Sequence, residues 1–92
     1  MNPSLLEVLG DRFEGRDVYV HIRGEGVAVQ NLCGRLHQVI LRGDPPEQQL
    51  RTVFYDEMVL VVSHVERWGE DDQDRVIVHA GPVQVTFGLR PF

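Results

Sequence analysis

The hydrophobic rhythm of this chain changes once, near residue 17, and does not change back. Upstream, Leu5, Leu6, Val8 and Leu9 recur at the i, i+3, i+4 spacing of one helix face, and Phe13 extends that face. Downstream, Val18, Val20 and Ile22 alternate with Tyr19, His21 and Arg23, the two-residue repeat of a strand with one dry face. Helices and strands set out their side chains with different periods, so this switch confines helix to the N-terminal end and leaves the remainder to strands. Pro3 suits a first turn, and the spacing predicts a helix over residues 3–13. Asn2 or Ser4 is available as its cap, and Gly10 and Gly15 are candidate terminators. A helix this short is marginal alone in water and must pack on something.

The strand region is punctuated at short intervals. Gly24-Glu25-Gly26 marks a turn, after which Val27 and Val29 continue the strand or begin another. The alternation breaks at Asn31–Gly34 and resumes at Leu36, Val39 and Leu41, where a phase slip predicts a bulge or bend. Gly43-Asp44-Pro45-Pro46 is the strongest breaker, because proline fixes φ and removes a ladder donor. Val53 to Trp68 is rich in β-formers. Asp56-Glu57 either turns a hairpin or faces solvent on one long strand, so 51–68 reads as one strand or two. The run Met58–Val62 implies a strand covered on both faces or one that takes part in an oligomer contact. An acidic loop at Gly69–Asp74 precedes a final hairpin, in which Val76 and Val78 lead into Ala80-Gly81-Pro82 and Val83, Val85, Phe87 and Leu89 lead out. The expectation is a mainly β single domain over residues 1–92: a small bent antiparallel β-barrel of five or six strands at 17–89, with a short N-terminal α-helix.

At 92 residues the chain has material for one core and a narrow stability margin. Small β proteins often relieve that margin by associating through a sheet edge, so self-association through strand edges into a homo-oligomer is expected. Nine arginines and no lysine stand against fourteen acidic residues, for a net charge of −5. The missing lysine excludes Schiff-base chemistry, and the acidic balance weighs against a broadly basic nucleic-acid binder. The single Cys excludes an internal disulfide framework. With no basic, apolar leader at the N-terminus, a cytoplasmic location is expected. No apolar run is long enough to cross a bilayer, so no membrane association is expected.

The polar residues do not spell a reaction. His21, His37, His64 and His79 lack short ligand spacings, and Cys33 has no second cysteine beside it. Cys33 and His37 are four apart, a helical rather than a strand alignment, and Cys33 reads as a small buried hydrophobe. Ser63 and His64 are adjacent, so on a strand they face opposite ways. Asp71-Asp72-Asp74 lacks the glycine and closing glutamate of a calcium loop. No catalytic residue, metal or cofactor is expected. Ile22-Arg23-Gly24-Glu25 and Leu41-Arg42-Gly43-Asp44 repeat one pattern, which either brings two arginines to one barrel rim or is ordinary turn chemistry.

A short helix running into Gly15-Arg16-Asp17-Val18-Tyr19-Val20, followed by Gly34-Arg35-Leu36, resembles the start of the Sm-like (LSm) proteins over residues 4 to about 68. That resemblance implies a strongly bent small barrel, ring assembly and binding of single-stranded RNA. The family's RNA-binding Asp and Asn have no counterpart after Leu36, where the chain reads His37-Gln38-Val39-Ile40. The expected function is a non-enzymatic interaction or assembly module. Tyr19, Arg23, Arg35, Arg42, Tyr55 and Trp68 are its candidate contact residues, since these residue types dominate binding hot spots. The alternatives are an Sm-like binder of single-stranded RNA and, third, a small metal-dependent enzyme using the histidines.

Overall fold

The N-terminal helix forms as α1 (Leu5–Phe13), and Ser4 caps it, its Oγ accepting the Glu7 N–H at 3.2 Å. The computed structural model describes residues 4–91, without the side chains of 27–29, so Asn2 and Pro3 lie outside the described residues. Gly10 does not stop the helix. It ends at Glu14 and Gly15, where Gly15 takes a φ of +78° and sends its N–H to the Leu36 carbonyl at 2.8 Å.

Six strands follow: β1 (Asp17–Gly24), β2 (Val27–Arg42), β3 (Gln48–Phe54), β4 (Val59–Glu70), β5 (Val76–Ala80) and β6 (Val83–Gly88). Each pairs antiparallel with its chain neighbours, and β6 returns to β1, closing the barrel. Closure depends on two long strands that bend. The first part of β2, to Arg35, lies on β1, and the part from Leu36 lies on β3, with a register slip between Leu36 and Gln38 where the sequence phase also slips. In β4, residues 59–65 lie on β3 and residues 65–70 on β5. Its bend holds Ser63 and His64 against Gln49 alone, and His64 takes a left-handed φ of +61° in that bulge. The barrel therefore resolves into a five-stranded sheet (first part of β2, β1, β6, β5, second part of β4) and a three-stranded sheet (second part of β2, β3, first part of β4).

Three local readings of the sequence are revised, and one that it left open is settled. Asn31–Gly34 does not interrupt β2, because Asn31 and Cys33 face outward opposite His21 and Tyr19 and the strand runs on beneath them. Cys33 is thus exposed, not a buried hydrophobe. Residues 51–68 form two strands, divided by a turn in which the Phe54 N–H donates to the Met58 carbonyl at 2.8 Å. β4 also runs through Gly69 to Glu70, so the acidic loop is shorter than expected.

The core joins helix to barrel. Leu5, Leu9 and Phe13 are buried with Val18, Val20, Leu36, Leu50, Phe54, Val76, Val78, Val85 and Phe87, and the Phe13 ring lies 6.3 Å from that of Phe87. Phe13 and Phe87 meet where β1 begins and β6 ends, so the helix fills that end of the barrel. Arg12 adds an outer tether, reaching Glu70 Oε1 at 3.3 Å and the Asp74 carbonyl at 3.2 Å. At the far end the β1–β2 and β5–β6 turns touch: a Cβ on Gly24 would lie 2.7 Å from the Pro82 carbonyl oxygen, which requires glycine there.

The β4–β5 turn is folded around one carboxylate. Asp71 accepts the Gln73 N–H at 2.8 Å and the Arg75 N–H at 2.9 Å. The Arg75 hydrogen bond, supported by that of Gln73, holds its carboxyl below the ordinary aspartate value of 3.8.

Two outcomes follow from this packing. Phe13→Ala lowers unfolding stability by about 3–5 kcal/mol in urea titrations, as removal of a fully buried ring does. A depressed carboxylate stabilises the fold above its unfolded pKa and ceases to do so as pH falls through its folded value. The stability gap between wild type and Asp71→Asn therefore narrows on acidification through that range, read from denaturation midpoints against pH.

Candidate functional site

The bend in β4 gives this fold an open edge. Residues 65–70 pair with β5, and β5 ends at Ala80, opposite Val65, where β4 has a partner on both sides. Beyond that point the chain from Val59 to His64 keeps β3 on one side and, among the described residues, has no strand on the other. The Phe54–Met58 hydrogen bond sets the parity of the ladder. Antiparallel pairs alternate between bonded and non-bonded, so Leu60 and Val62 direct their backbone groups to β3. The N–H and C=O groups of Val59 and Val61 then point to the open side.

Beside this edge lies a cleft of about 260 Å³, lined mainly by apolar residues including Ile22, Leu60, Val62, Val83 and Val85. It occupies the barrel end that the helix does not reach. Ile22, Leu60 and Val83 are only partly buried, although they pack on the core. The outer face of the same edge is apolar too: Val59 is 50% and Val61 46% exposed. Of the two readings of the Met58–Val62 run, cover on both faces is therefore overturned, because β4 meets solvent outward. No charged residue lies between Met58 and Ser63. Sheet edges are ordinarily protected by charge, proline or a bulge that twists them away. Here the only such feature is the bulge at its end.

The six contact residues expected from the sequence are scattered over the surface. Arg23 ends a row across the five-stranded sheet, Arg23–Gln84–His79–Arg67, on its outer face. Tyr19 is half-buried on that face beside Cys33 and Asn31. Arg35 lies 3.6 Å from Asp17 at the β2 bend, and Tyr55 packs at a tilt against His37 with ring centroids 4.6 Å apart. Trp68 is half-buried against the core and lines a hollow with Leu5 near the start of the helix. Arg42 sits opposite Gln49 on the three-stranded sheet, so the two Arg-Gly repeats do not share a rim. Arg51 is on that same sheet, in the row Ile40–Arg51–Val61.

The polar residues likewise stay apart. His21 Nδ1 is 2.7 Å from Asn31 Oδ1, and β6 lies between His21 and His79. Among the described residues, no three His, Cys, Asp or Glu side chains converge as a metal site would need. Among the described residues, no helix is long and apolar enough to cross a membrane. The edge valines and the cleft residues were absent from the expected contact set, although the uncharged Met58–Val62 run was their signal.

Exposed and buried neighbours on β4 should differ sharply in what they contribute to folding. Val61→Thr keeps the β-branch at an exposed site and shifts the unfolding free energy by about 0.5 kcal/mol or less. Val62→Thr puts a hydroxyl into the core and costs about 1–3 kcal/mol. Urea denaturation of the two variants reads both values.

Comparison with protein-family models, curated proteins and solved structures finds no match to this chain.

Proposed function

We propose that this protein is a non-enzymatic interaction and assembly module that works by accepting an extended chain along the open edge of β4. The observation that carries this reading is the coincidence of free backbone groups at Val59 and Val61 with an apolar cleft on the same side. In strand addition the backbone ladder supplies affinity, and pockets under alternate side chains supply selectivity. An added strand would cover Val59–Ser63 and set every second side chain over Ile22, Leu60 and Val83. The absence of charge along the edge suits an apolar, β-branched partner segment better than a polyanion.

RNA binding is the weaker reading. An acidic chain holds a polyanion only by gathering its arginines on one face. Here Arg23 and Arg67 lie on the outer face of one sheet and Arg42 and Arg51 on that of the other, while Arg12 is committed to Glu70. The likeness to Sm-like proteins therefore supports a barrel shape and assembly more than an RNA site.

The test is an NMR titration with a capped Thr-Val-Thr-Val-Thr-Val peptide, at protein concentrations low enough to keep the chain monomeric. Saturable shifts are expected at the amides of Val59–Ser63, with smaller ones at Ile22 and Val83. No saturable shift, or shifts confined to other surfaces, overturns the reading.

A further inference from the structure

We infer that the extended chain accepted by the β4 edge is the same edge of a second copy, paired antiparallel about a two-fold axis through Val61. This rests on the strand-addition reading above and names its partner. Three observations support the choice. First, the edge is compatible with itself about Val61, since the axis sets Val61 against itself and Val59 against Ser63 of the second copy. Both pairs are small, and neither contains a charge. Two chains of net charge −5 thus meet along a line to which neither brings a charged side chain.

Second, the backbone parity fits. Val59 and Val61 both direct N–H and C=O outward, so Val61 forms a bonded pair with its own copy and each N–H at the axis finds a carbonyl. The three-stranded sheet becomes a continuous six-stranded one, with both barrels on the same side. Third, the cleft beside each edge lies next to the axis, so the two-fold brings the clefts together and removes apolar surface that pairing of the edges alone would leave wet. The interface is isologous and closes at two subunits, using the β4 edge of each. Its small size places the dissociation constant roughly in the micromolar range. Added salt tightens it, because screening relieves repulsion between two negatively charged copies.

Single cysteines test the register. In a Cys33→Ser background, Val61→Cys brings two thiols opposite each other at a Cα separation of about 5.5 Å, within the span a disulfide bridges. Val59→Cys in the same background holds its thiols about 13 Å apart along the antiparallel strands, beyond that span. Mild oxidation is expected to give a covalent dimer from Val61→Cys, with at least ten-fold less from Val59→Cys. Sedimentation of the wild type is expected to show a monomer–dimer equilibrium that shifts toward dimer with salt. Overturning outcomes are a wild type monomeric up to millimolar concentration, equal cross-linking at both positions, or more at residue 59. If the peptide titration succeeds while any of these occurs, strand addition stands and the second copy is the wrong partner. If the peptide also fails, the edge itself is not the site.

Discussion

Everything in this fold depends on two strands that change sheets without breaking. Six strands of ordinary length around one core leave gaps at the corners unless some strands bend, and here β2 and β4 do so. The bulge at Ser63–His64 has a local conformational cost, since a non-glycine residue must sit in the left-handed region. In exchange, the same strand lies on β3 and then on β5. A bent strand also has two outer edges, one on each side of its bend, which a straight meander would not expose. The helix covers the barrel end next to one set of these edges, where Phe13 packs on Phe87. Among the described residues, no element covers the other. The candidate site follows from that asymmetry rather than from any polar motif.

Much of the architecture was legible in the sequence because it rests on periodicity. The helix face of Leu5, Val8, Leu9 and Phe13, the alternation of β1, the final hairpin and the slip after Leu36 all appear where side-chain spacing places them, whereas Leu6, counted with that face, is exposed. What periodicity misses is direction. Asn31 and Cys33 look like a break because polar residues interrupt the count, yet they are the outward half of an unbroken strand. The candidate contact residues were chosen by type, and type does not say which sheet carries them. Trp68 packs against the core and Arg35 leans toward Asp17, while the residues at the open edge are plain valines that no hot-spot rule selects. Whether a backbone group is free depends on the neighbouring strand's length, and the end of β5 at Ala80 cannot be read from β4 itself.

The charge distribution has the same origin. Strand alternation sends every second residue outward, and the bends place alternate stretches on different sheets, so arginines regularly spaced in sequence end on different faces. A net charge of −5 spread this way repels like copies in general, and the β4 edge is a line without charge. Selectivity of that kind needs no positive patch.

The seam between β1 and β6 has a consequence for how the chain reaches this form. Every other strand contact joins neighbours in sequence, so those hairpins close short loops and form early. The seam joins Tyr19 to Gly88, across most of the chain, and carries the largest loop-closure entropy. Phe13 and Phe87 meet beside it, so that contact of the helix is made only when the last strand arrives. A ribosome still extending this protein thus holds an open, curling ribbon, and the barrel shuts only once the β5–β6 hairpin is free of the exit tunnel.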